Sequence, residues 1–292
     1  MSAEIERAAI ALYDRFTHGR MDRRAFIAEL SRIAGGAAAA GILLTGIAAK
    51  ADAAPIVAPD DNRIRSQQLE WEARPGRAYK GYNAAPAGDR QGLPVILVIH
   101  ENRGLNDHIR DVARRLAVAG YSAVAPDFLS IAGGTPADED RARTMIGELD
   151  MAETVADGVA TIGWLASPAG GGRKVGAVGF CWGGAMVNRL AVASGAALKA
   201  GVSFYGPAPD PAEAARVQAA MLIILAGLDA RVNATGAPWA EALRAAGKTV
   251  ESTVYPDVNH AFHNDTSAAR YDRAAAEQAW ASTLDFFGRH LR

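Results

Sequence analysis

Beyond residue 62, short apolar runs alternate with stretches whose apolar positions recur at helical spacing. Ile64–Ala73 and Arg77–Ala85 flank an Arg74-Pro75-Gly76 turn and predict an antiparallel pair of strands. Pro94–His100 is a continuous apolar run up to its histidine, as in strands covered on both faces, and Tyr121–Pro126 repeats the pattern. Lys174–Phe180, Ala200–Tyr205, Met221–Ala226 and Thr249–Tyr255 predict further short strands. Helical spacing covers Asp107–Ala119, most of Ala137–Ala166, Gly184–Ser194, Thr235–Ala246 and Ala268–His290. There is no internal repeat. The alternation predicts one α/β domain over residues 54–292, a mostly parallel sheet with helices on both faces.

Residues 1–53 break this pattern. Ile5, Ala9, Leu12 and Phe16 fall close to helical spacing, so Ser2–Thr17 predicts an amphipathic helix. Arg23 and Arg24 precede an uncharged Gly/Ala-rich run, Gly35–Ala49, too short for a comfortable membrane span. Two small-x-small sites follow, Ala49-Lys50-Ala51 and Ala51-Asp52-Ala53. Charged region, short apolar region and small-residue exit resemble a twin-arginine export signal, which implies a periplasmic protein with no stable membrane span once mature. The other reading is a retained helical appendage on a cytoplasmic protein.

Composition narrows the function. Lys plus Arg number 31 and Asp plus Glu 32, giving a net charge of −1, so no basic field favours nucleic acid. The 292 residues hold one cysteine, which excludes an internal disulfide and any multi-cysteine metal site within one chain.

In a sheet of this kind the loops at the carboxyl ends of the strands form the ligand crevice. Gly179-Phe180-Cys181-Trp182-Gly183 follows one predicted strand and fits G-x-C-x-G, a nucleophile elbow carrying sulfur in place of oxygen. The helix beginning there favours thiolate by its partial positive charge. Free cysteine is also a common buried filler, but a sharp strand-to-helix turn is a poor place for one. Asp229 and His260 each follow a later strand, so nucleophile, acid and base run in the chain order of α/β-hydrolases. In that chemistry the histidine moves the proton and the aspartate fixes its tautomer. Glu101 closes the strand ending at His100, where it can hold the resting thiol or oppose its charge. The backbone N–H groups of Asn102 and Trp182 are the candidate oxyanion donors.

Together these residues resemble the dienelactone hydrolase family. The resemblance runs from about Ile64 to the C-terminus through His100-Glu101-Asn102-Arg103-Gly104, the cysteine elbow, Phe204-Tyr205-Gly206, Gly227-Leu228-Asp229 and Tyr255-Pro256 to His260-Ala261-Phe262. It implies a cofactor-free hydrolase that opens a lactone or carboxylic ester with Cys181, His260 and Asp229. It also implies that Glu101 keeps the thiol protonated until substrate arrives. Arg103 and Tyr205 are candidate substrate contacts. The family's founding enzymes place a substrate-binding arginine four residues after the histidine; here that position is Asn264, which points to a differently shaped or less acidic substrate, with Arg103 or Arg141 as stand-ins.

Other readings keep the fold and change the chemistry: thioester or amide cleavage, or a redox-responsive thiol in a ligand-binding pocket. The expected partner is a small molecule, and the chain is expected to act as a monomer or small homo-oligomer. His260 and His263 stand three apart without a third ligand at a fitting spacing, so no metal site is read there. His18, His108 and His290 read as surface residues. Trp71, Trp164, Trp239 and Trp280 read as core or core-edge packing, and Gly170-Gly171-Gly172 as a plain loop.

Overall fold

The computed structural model describes residues 2–19, 21–48, 54–88, 92–168 and 172–292. Among these residues eight strands form one sheet: β1 (Ile64–Arg74), β2 (Arg77–Pro86), β3 (Val95–Ile99), β4 (Ser122–Pro126), β5 (Val175–Phe180), β6 (Leu198–Phe204), β7 (Ala220–Ala226) and β8 (Val250–Tyr255). Their order is β1-β2-β4-β3-β5-β6-β7-β8. The β1–β2 hairpin is antiparallel and β2 meets β4 antiparallel; every pairing from β4 onward is parallel. Parallel strands require crossovers, and helices supply them on both faces.

The core follows the two-residue period of the strands. Ile96, Val98, Val178, Phe180, Leu222 and Ile224 face α4 (Asp107–Val118) and α9 (Arg273–Leu291), meeting Val112, Leu116, Phe286 and Phe287. Val95, Leu97, Ile99, Met221, Ile223 and Leu225 face the other way. They pack with residues of α6 (Met151–Ala166), α7 (Trp182–Ala193) and α8 (Ala230–Ala245), among them Ile162, Leu190 and Trp239. Both layers are filled at the central strands, which is why those runs carry no polar interruption.

Several helix starts differ from the periodicity, and a cap explains each. Asp229 Oδ1 accepts from Val232 N at 3.1 Å and starts α8 five residues before Thr235. Asp272 caps α9 at Arg273, after turns over the preceding residues. Asp150 caps α6 and separates it from α5 (Glu139–Glu148), so the long helical stretch is two helices.

Among the described residues, 2–19 and 21–48 form a three-helix unit: α1 (Ala3–His18), α2 (Arg23–Ala34) and α3 (Ala37–Ala48). Ser2 caps α1 and Asp22 caps α2, immediately before Arg23 and Arg24. Ala9, Leu12, Phe26, Leu30, Leu43 and Ile47 make a separate small core, with Ala269 of the main domain packed against it. No single helix among the described residues is long and apolar enough to cross a membrane. The small-x-small sites at Ala49–Ala53 lie outside the described residues, as do Gly170 and Gly171.

Three side chains are not where the sequence reading put them. Trp164 is 55% exposed and does not pack in the core. His108 is buried, its Nδ1 2.8 Å from Asp265 Oδ1. His18 is not a surface residue either; it ends α1 inside the main domain's site.

Candidate active site

Cys181 sits between β5 and α7, at φ 56° and ψ −114°, a conformation an L-residue holds only under constraint. Its N–H donates to Phe204 O at 3.0 Å. The flanking glycines have steric work: a Cβ on Gly179 would lie 2.1 Å from Gly183 O, and one on Gly183 2.3 Å from Ile99 O. Only bare backbone lets the turn close this tightly against β3. Cys181 is 3% exposed.

His260 Nδ1 lies 2.5 Å from Asp229 Oδ2. A carboxylate there makes Nδ1 the protonated nitrogen, so Nε2 presents its lone pair. That Nε2 is buried and makes no hydrogen bond among the described residues. The ligand atoms of His260, Cys181 and His18 all lie within 4.8 Å of one another. Burial opposes charge on His260, but an ionised Cys181 sulfur and the Asp229 carboxylate outweigh it, so its pKa rises once the thiol has given up its proton. Asp229 meets the same burial penalty, yet the hydrogen bond to His260 holds its carboxyl below the usual value.

Glu101 is buried on the turn after β3 and lines the cavity that holds Cys181 and His260. Its Oε2 accepts from Asn264 Nδ2 at 2.7 Å, while Oε1 has no partner among the described residues. His100 steadies that turn, with Nδ1 2.7 Å from Glu101 O and Nε2 accepting from Phe128 N at 3.2 Å. Asn102 and Trp182 both border the space at Cys181, and Trp182 is the first residue of α7, where N–H groups lack helical partners. Tyr205 is buried with its ring 5.0 Å from that of His260. Burial and then the charge of Glu101 hold its hydroxyl well above the usual pKa. Arg103 lines the cavity but is paired with Glu139 at 2.8 Å. Arg141 is exposed and is not among the cavity's lining residues.

Residues the sequence reading missed come from α1, from α5 and from the loop before α9. His18 Nε2 is 3.1 Å from Cys181 Sγ, and its ring packs edge-on to His260 at 4.5 Å. Asn102 Nδ2 donates to Thr17 O at 3.2 Å, and Arg270 Nη1 pairs with Asp14 Oδ1 at 3.2 Å. Arg143 lies over the Phe16 ring at 4.6 Å. These contacts reduce the space at the sulfur to a cavity of about 40 Å³. It adjoins a groove of about 640 Å³ that also touches Cys181, His18 and Trp182, a size that suits a small organic ligand. No spacing pattern marks His18, because its partners in the site, Cys181 and His260, lie 163 residues or more away.

A mostly parallel sheet with a strained cysteine elbow and a carboxylate-held histidine defines an α/β-hydrolase fold with a cysteine at the strand-to-helix turn. The dienelactone hydrolase family model matches residues 79–291. The chain belongs to the dienelactone hydrolase family. It is 33% identical over 221 residues to an Escherichia coli O157:H7 protein described as a carboxymethylenebutenolidase, covering 70% of this chain and 80% of that one. A Methylorubrum extorquens protein of the same description is 32% identical over 249 residues, covering 79% and 83%. A solved Klebsiella pneumoniae structure described as a dienelactone hydrolase superposes with a TM-score of 0.70 at 30% identity, covering 78% of this chain and all of that one.

Proposed function

We propose that the protein hydrolyses a lactone or activated carboxylic ester with Cys181 as nucleophile, His260 as base and then acid, and Asp229 as the group that orients it. The observation that carries this is the unbonded, buried Nε2 of His260 beside the sulfur, with Nδ1 tied to Asp229. His260 takes the thiol proton as sulfur adds to the carbonyl carbon. The oxyanion forms against the N–H groups of Asn102 and Trp182. Collapse breaks the bond to the leaving oxygen, which takes the proton from His260, and leaves a thioester. Water, deprotonated by the same nitrogen, then cleaves that thioester and restores the thiol. The Asp229 carboxylate supports the imidazolium between these steps.

Asn264 is committed to Glu101 and Arg103 to Glu139, which favours a substrate less acidic than a dienelactone. Cys181→Ala is expected to remove turnover of enol lactones and aryl esters while the fold, read by circular dichroism, persists. Lactone turnover by the variant would sink the proposal. Thioesters and amides run in the same panel separate the other acyl transfers.

For the N-terminal helices we propose retention as a cap over the site, in preference to removal as part of a twin-arginine leader. The support is that Asp14, Thr17 and His18 all contact residues lining the site. The intact mass of the protein recovered from fractionated source cells tests this. A mature chain lacking about the first fifty residues, found in the periplasm, returns the leader reading.

A further inference from the structure

We propose that His18, Cys181 and His260 together form a binding site for one thiophilic divalent cation of the Zn²⁺ type, and that the bound cation silences the enzyme. The hydrogen bonds fix the donor set. His18 Nδ1 lies 2.9 Å from the carbonyl oxygen of Asp14, a group that only accepts, so Nδ1 carries the hydrogen and Nε2 the lone pair. His260 is fixed the same way by Asp229. Two imidazole lone pairs therefore face one sulfur. A thiol has a single proton to donate, so one buried lone pair goes without a partner, and Nε2 of His260 is the atom left in that state.

A cation satisfies all three donors at once. Bonds of about 2.0–2.3 Å to nitrogen and sulfur place tetrahedral ligands roughly 3.3–3.8 Å apart. The present separations, 3.1 Å from His18 to sulfur and 4.8 Å at most within the group, reach that spacing with small side-chain shifts. One thiolate and two neutral imidazoles favour a borderline or soft ion over Mg²⁺ or Ca²⁺. Each imidazole already has the second-sphere acceptor such sites use, a backbone carbonyl for one and a carboxylate for the other. All three donors line the small cavity, as does Glu101, whose Oε1 is buried without a partner among the described residues. On binding, a sulfur–metal bond forms as the S–H bond breaks, and the proton leaves to buffer; no electron is transferred. The lone pairs that hydrolysis needs are then engaged, and α1 is tied to α7 through the ion.

The test is titration of the full-length, metal-free chain with Zn²⁺ alone and with Co²⁺ alone. One ion per chain, about one proton released, and a near-ultraviolet thiolate-to-Co²⁺ charge-transfer band are expected. Excess Mg²⁺ should not displace the ion, and hydrolysis should stop on loading and return with chelator. His18→Ala should weaken Zn²⁺ binding at least about tenfold, and Cys181→Ser, whose fold the smaller change protects, should abolish the band. Absence of the band in wild type, or His18→Ala binding as tightly as wild type, overturns the inference. This inference builds on the proposed hydrolase only for the silencing. Ion binding without metal-free hydrolysis would defeat that reading and leave the site standing, while hydrolysis without the band would do the reverse.

Discussion

Asn264 has both ends of its amide fixed: Oδ1 accepts from Thr266 N at 3.0 Å and from Thr266 Oγ1 at 2.7 Å, which turns Nδ2 toward Glu101. The amide thus supplies the donor that a buried carboxylate needs. Asn264→Ala removes that donor and should cost about 1–3 kcal/mol of stability, measured by denaturant unfolding. Asn264→Asp should do worse at pH 7 than at pH 5, because two adjacent buried carboxylates repel until one takes a proton. Equal stability of the aspartate variant at both pH values would show that this contact does not hold Glu101. The sequence marks position 264 only as the place where the family's arginine is missing. Its actual partner is 163 residues away, and nothing local could have shown it.

At the scale of elements, the elbow is legible because its requirement is local. Two glycines flank the cysteine because a Cβ on Gly179 would strike the backbone of Gly183, and one on Gly183 the backbone at the end of β3. Gly183→Ala would put that carbon 2.3 Å from Ile99 O and 2.6 Å from His100 O, atoms that cannot rotate away. Loss of soluble protein, or a fall in stability of at least about 3 kcal/mol, is expected. Gly163→Ala, in the interior of α6 with nothing within 4 Å of the new carbon, should instead raise stability by roughly 0.5–1 kcal/mol. Thermal unfolding of the two variants side by side checks both signs. The same locality explains what else could be read from the chain. Strands buried on both faces show as unbroken apolar runs, and Glu101, Cys181 and Asp229 each follow one, while His260 follows the part-exposed edge strand β8. Helix starts are set by single caps such as Asp229 and Asp272, so periodicity misplaces them by several residues.

At the scale of the whole molecule, the cap and the catalytic domain meet through charge as well as packing. Arg270 and Asp14 are nearly buried, their side chains 5% and 17% exposed. Removing one partner from such a pair costs more than the pair contributes, because the other charge stays desolvated. That asymmetry makes the contact a handle on site access. Asp14→Lys sets an ammonium against the guanidinium and beside His260, which should lift α1 away from the sulfur. Alkylation of Cys181 by iodoacetamide should then speed up at least about tenfold, the equivalent of roughly 1.4 kcal/mol of lost closure. Arg270→Glu alone repels Asp14 and should act in the same direction. Combined with Asp14→Lys it restores opposite charges across the gap, so the double variant should return toward the wild-type rate. A rise in the single variants without recovery in the double would mean that each change disturbs the site separately. An unchanged rate in both singles would mean that the helices over Cys181 do not control its access, and the groove beside Trp182 would then be the substrate's way in.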